Sequence, residues 1–202
     1  MFYNHYKRKK MNLQKSLCVS LLSLLIISSH ANAEINYTDN ELKQIAKKAI
    51  QTVGGKLKHT LGQKVKKGGF ENAALFCSKE ATSLAKEASS SLPKGVSIKR
   101  ITNKPRNSNN QATKEQILVL QELENKQKLG KMPKMLVKKI SQNHYQVYKP
   151  LVIGKKCLNC HGDNSNLNQN AFKIISENYP NDKATNYKLG QLRGAFLVDI
   201  IK

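Results

Sequence analysis

Apolar residues Leu42, Ile45, Ala49, Ile50, Val53, Leu57 and Leu61 recur at spacings of three and four, the pattern of a helix over 41–66. Asp39 or Asn40 can cap its start, Gly54-Gly55 offers a kink, and Gly68-Gly69 stops it. A second helix is predicted over 70–88, with Phe70, Ala73, Ala74, Cys77, Ala81 and Leu84 on one face. Most of those side chains are small, so something flat or bulky can approach that face closely. Ser89 to Gly95 is turn-rich. The pattern then switches to period two, and Val96-Ser97-Ile98-Lys99-Arg100-Ile101 reads as a strand. A polar loop over 104–111, centred on Pro105-Arg106-Asn107, leads to a helix over 112–127 carrying Ile117, Leu118, Leu120 and Leu123. Strands over 134–141 and 145–153 follow, joined at Gln142-Asn143. A helix over 169–177 and a closing strand over 195–201 complete the order. Strands bunched between helices predict an α+β fold, one antiparallel sheet packed by helices, with 34–202 as a single domain.

The first 33 residues follow a different pattern. Lys7, Arg8, Lys9, Lys10 and Lys15 precede an almost continuous apolar run over 17–27, and Ala31-Asn32-Ala33 has small residues at the cleavage spacing. The expectation is a secretory signal peptide over 1–33, removed after Ala33, and a periplasmic protein. The run is too short for a spanning helix, which needs roughly 20 apolar residues. Cys18 lies inside the run, not just after it, which argues against a lipoprotein site. Beyond Ala33 the chain keeps 30 basic and 13 acidic residues, a net charge of about +17. Such a charge favours an acidic protein partner or peripheral contact with an anionic membrane surface, or simply keeps lysine-rich helix faces solvated. Nucleic acid is not expected, because export separates them and no basic stretch is interleaved with aromatics.

Three cysteines remain, Cys77, Cys157 and Cys160, an odd number for an exported chain. Cys157-Leu158-Asn159-Cys160-His161 is a C-x-x-C-H sequence, in which two thiols add across the two haem vinyl groups and the histidine takes the iron. Zinc would require a second ligand pair at motif spacing, and His59 and His144 stand alone. A thioredoxin-like pair would open a helix, whereas Gly162-Asp163-Asn164-Ser165-Asn166 is loop chemistry. The expected cofactor is therefore one covalent haem c, held by Cys157 and Cys160 with His161 on the iron. The second axial position stays open between Cys77, His59, His144, Met132, Met135 and several lysines.

Four stretches carry a family resemblance. They are Phe76-Cys77-Ser78-Lys79-Glu80-Ala81, Arg100-Ile101-Thr102-Asn103-Lys104-Pro105-Arg106-Asn107, Cys157 to Gly162, and Tyr187-x-x-Gly190-x-x-Arg193-Gly194-Ala195. In these the chain resembles c-type haem domains with a PAS-like sensor fold, which occur as exported single-domain proteins and as sensor regions of signalling proteins. The resemblance implies a PAS-like sheet and a helix cysteine, Cys77, as axial ligand opposite His161. Arg100 and Arg106 then become candidates for keeping Cys77 ionised or for pairing with haem propionates. The many lysines and few acidic residues depart from the family, so partners need not match those of relatives.

A thiolate ligand favours ferric iron. Two functions follow as expectations. One is a redox or small-ligand (gas) sensing module that signals to a separate protein by exchanging Cys77. The other is a low-potential, single-haem electron carrier. An enzyme is not expected, because no histidine is well placed for distal acid–base work.

Overall fold

The computed structural model describes residues 37–202, so the expected signal peptide and its cleavage site lie outside the described residues. Helix α1 (Asp39–Ile50) starts at the first of the two expected caps, so its actual cap lies one residue earlier. Thr38 is the cap: its hydroxyl accepts the Glu41 N–H at 3.3 Å, and the Glu41 carboxylate accepts the Thr38 N–H at 2.7 Å. This reciprocal box satisfies two otherwise orphaned donors. The expected kink is a π-helical turn over Gln51–Gly55. Gly54 allows it to sit on the sheet, because a Cβ there would come 2.8 Å from Phe196 Cζ.

Helix α2 (Lys56–Lys79) breaks at Gly68 and Gly69, the latter at φ 68°. Its two arms fold back on one another. Lys64 pairs with Glu80 at 2.9 Å, and Lys56 pairs at 2.8 Å with Glu87 of α3 (Ala81–Ser89). In a straight helix, 16 residues would separate Lys64 and Glu80 by about 24 Å. The two predicted N-terminal helices are thus the arms of a hairpin with a glycine corner. The second arm has a further break at Glu80, where α2 gives way to α3.

Four strands follow the period-two segments: β1 (Val96–Ile101), β2 (Leu136–Ser141), β3 (His144–Val152) and β4 (Leu192–Ile201). They form one antiparallel sheet in the order β1-β4-β3-β2, the PAS-like α+β arrangement expected. Alternation along the strands splits the core in two. Tyr145, Val147, Val198 and Ile200 pack against Leu42, Ala46 and Ala49 of α1. Tyr148, Ala195 and Leu197 pack on the other face against Leu120 and Leu123 of α4 (Lys114–Lys128). Helix α6 (Gln169–Asn178) packs Ala171 and Ile175 against Ala74 of α2. Among the described residues, no helix is long and apolar enough to cross a membrane.

The α4 start gives a first prediction. Thr113 and Gln116 form a second capping box, with bonds of 3.3 and 3.1 Å. Thr113→Ala should lower stability by about 1 kcal/mol, seen as a lower urea midpoint with unchanged slope. It would also leave the Gln116 backbone N–H, in a residue only 7% exposed, without its hydroxyl acceptor.

Candidate functional site

The C-terminal ends of β1 and β3 and the start of β4 meet the glycine-cornered hairpin around a cavity of about 570 Å³. That lies inside the roughly 300–1,000 Å³ range of cofactor sites. From the hairpin come Phe70, Ala73, Ala74 and Cys77, four members of the small-residue face read from the sequence. From the other side come Cys157, Cys160 and His161. Their chain leaves β3 at Val152, makes a short 3-10 turn over Lys155–Cys157, and passes into one helical turn, α5 (Leu158–His161). That turn gathers both motif cysteines and the histidine at one wall. All three cysteines are free thiols.

His161 is held as a neutral imidazole. Its Nδ1 lies 2.7 Å from the Ala184 carbonyl oxygen. A carbonyl only accepts, so Nδ1 carries the proton and Nε2 keeps its lone pair. Burial holds the imidazole pKa well below its usual value, and the cations of Arg106, Arg193 and Arg100 act in the same direction. The Ala184 hydrogen bond opposes them without reversing the result. The Tyr187 ring stands edge-on to His161, with centroids 6.3 Å apart. The Tyr187 N–H donates to the His161 carbonyl at 2.9 Å.

Burial also raises the Cys77 thiol, with Arg100 and Arg106 pulling it back down. The Cys160 thiol is pushed up to about 11, again mainly by burial. Both are therefore protonated in the chain alone. The Tyr179 hydroxyl, just past α6, donates to the Cys77 carbonyl at 3.0 Å and so fixes the end of α2.

The two arginines named from the sequence both line the cavity, in different states. Arg100 is exposed on β1, and its guanidinium has no hydrogen bond or ion pair among the described residues. Arg106 is mostly committed: its Nε donates to Asp182 at 2.9 Å, and one Nη reaches Asp182 and the Cys160 and Ala184 carbonyls. A third guanidinium, Arg193, had no role assigned from the sequence. Its Nη1 donates to the Thr102 hydroxyl at 2.9 Å and the Lys104 carbonyl at 3.1 Å. Expecting β4 to begin at 195 left Arg193 in a loop; the strand begins at Leu192 and carries Arg193 to the cavity. Its position in the Tyr187-to-Ala195 stretch was the available signal.

The other proposed axial groups are elsewhere. Met132 packs in the α4 core and Met135 in the α1 core. His144 lies 2.7 Å from Asp199, and His59 is exposed on α2 away from the cavity lining. Of the lysines, Lys58, Lys66 and Lys156 reach the cavity. No carboxylate among the described residues lines it. Among the described residues, no three His, Cys, Asp or Glu side chains gather to hold a bare metal ion.

The sequence profile of the Tll0287-like family (Tll0287) matches residues 23–200. The chain belongs to the Tll0287-like family. A similar solved structure is the crystal structure of the cyanobacterial heme-protein Tll0287. It is 21% identical, with a TM-score of 0.59, and the likeness covers 82% of this chain and 98% of that one. At that identity the likeness carries the fold of the Tll0287-like family. No curated protein sequence matches the chain.

Proposed function

We propose that this Tll0287-like chain is an exported, periplasmic c-type haem protein that senses redox state or a small ligand. In this reading Cys157 and Cys160 would hold the haem through their sulfurs, and His161 and Cys77 would ligate its iron. The observation that carries it is the single cavity in which Cys77 meets the three motif residues, one of them an imidazole with a free lone pair. The residues fit the group chemically. The walls are mainly apolar, Ala73 and Ala74 leave room for a flat ring, and thiols, imidazole and unpaired arginine match vinyls, iron and propionates. The related solved structure is that of a heme-protein, which supports the same cofactor.

Haem, when bound, supplies an iron that changes oxidation state and can accept a small ligand. The chain's own residues do the rest. Ala184 keeps His161 in the ligating tautomer, as outer partners of metal-bound histidines do. Arg100 supplies an unpaired cation for a propionate or for ionising Cys77. Cys77 sits in the second arm of the hairpin, so its release would act directly on a segment tied down by Tyr179. That connection favours sensing.

The carrier reading has its own support. Lys58, Lys66, Arg100 and Lys156 are exposed cations lining a cavity that has no carboxylate among the described residues. Such a rim suits docking to an acidic redox partner. Spectra of the ferric and dithionite-reduced protein, with and without carbon monoxide, separate the two. Loss of the thiolate on reduction and a carbon monoxide adduct are expected of the sensor. Six-coordination in both states, with no adduct, would leave the carrier. A mass increase of one haem that survives denaturation tests the covalent link, and the apoprotein mass would refute it.

A further inference from the structure

The Asp182 side chain is a carboxylate in a loop with no part in ligation, yet it is nearly buried and each oxygen has a partner. Oδ1 accepts the Ala184 N–H at 2.7 Å. Oδ2 accepts Arg106 Nε at 2.9 Å. Side-chain exposure in this ion pair is 9% for Asp182 and 12% for Arg106. The same Arg106 guanidinium donates onward to the Cys160 carbonyl, inside the C-x-x-C-H turn. The Ala184 peptide, held through its N–H, presents its carbonyl to His161 Nδ1 at 2.7 Å. Two further bonds stitch this loop down: Lys183 N–H to the Pro105 carbonyl at 3.0 Å, and Lys104 Nζ to the Thr185 carbonyl at 2.8 Å.

We propose that Asp182 is a positioning residue for the His161 imidazole. Its carboxylate clamps two arms, Arg106 to the Cys160 carbonyl and Ala184 to His161 Nδ1, and so fixes the ring orientation and the tautomer that frees Nε2. The inference rests on the haem reading for its redox consequence, but the clamp itself is a property of the polypeptide. A firm Nδ1–H···O=C bond makes the imidazole a stronger donor, which favours ferric iron. A loosened clamp therefore shifts the midpoint potential upward.

The discriminating variants keep charge and move geometry. Asp182→Glu displaces the carboxylate by one methylene, and Arg106→Lys replaces a fork with a point donor. The readouts are exchange of the His161 Nδ1 proton with solvent, followed by nitrogen-15 NMR in the haem-free and the ferrous protein, and the midpoint potential. In the wild type the proton should exchange slowly. In each variant exchange should quicken by about tenfold, the scale of one net hydrogen bond, and the potential should rise. A merely structural salt bridge would lower the urea midpoint and leave both readouts at wild-type values, which overturns the proposal. Rapid exchange in the wild type would also overturn it, even if neither variant folds. Absence of haem from the exported wild type would instead sink the haem reading, while proton exchange in the haem-free chain would still decide the clamp.

Discussion

Cys77→Ala should leave the haem attached, remove the thiolate signature from the ferric spectrum and raise the midpoint potential. In the proposed reading, attachment depends on Cys157 and Cys160, which sit in the turn beyond β3 and not on the hairpin. The ligand role proposed for Cys77 rests on its place in α2, lining the same cavity as His161. A thiolate stabilises the ferric state, so its loss moves the potential up. An increase of at least about 60 mV, one decade in the ferric–ferrous equilibrium, is expected. Cys77→Ala also clears one side of the cavity, so carbon monoxide should bind the reduced variant readily. The substitution removes a half-buried thiol beside Ala73 and Ala74, a small volume change, so folding should survive it. An unchanged ferric spectrum would remove Cys77 from the site and return the question to Lys58, Lys66 and Lys156, the lysines that reach the cavity.

The largest stability effect is expected at Gly194. Its φ is 143°, a conformation that side-chain-bearing residues rarely adopt. It also faces the neighbouring strand: an added Cβ would overlap the Ile101 carbonyl oxygen and come 3.0 Å from Thr102 Cβ. Relief would push β1 away from β4 where Ile101 pairs with Ala195. It would also disturb Thr102, whose hydroxyl donates to the Arg193 carbonyl at 2.8 Å and accepts from the Arg193 guanidinium. Gly194→Ala should therefore cost about 4 kcal/mol or more, combining backbone strain with broken pairing. Gly55→Ala is the control. Nothing lies within 4 Å of its Cβ position, and helical backbone there should make alanine neutral or stabilising by about 0.5–1 kcal/mol. Urea denaturation of both variants tests the contrast, and equal midpoints would contradict it.

Hydrophobic spacing made most of the fold legible. Val96–Ile101 appears with the expected bounds, and the two-helix reading of the N-terminal region survives as a hairpin. Helix starts were less legible, because Thr38 and Thr113 became decisive only through Glu41 and Gln116 three residues on. Strand order was hidden. Nothing local in the sequence says that β4, the last strand, lies between β1 and β3. That non-local pairing brings Arg193 and Gly194 to the cavity. Of the site, the haem-binding motif announced itself by spacing, whereas Cys77 drew its weight from the family resemblance. Asp182 and Ala184 had no signal, since their function rests on hydrogen bonds across residues 106, 160 and 161.

Low-temperature electron paramagnetic resonance of the ferric wild-type protein tests the ligand pair most directly. His161 opposite Cys77 predicts a low-spin signal with the narrow g-spread of a thiolate facing an imidazole. A high-spin signal, or a low-spin signal with the wide g-spread of nitrogen or thioether ligation, would contradict it.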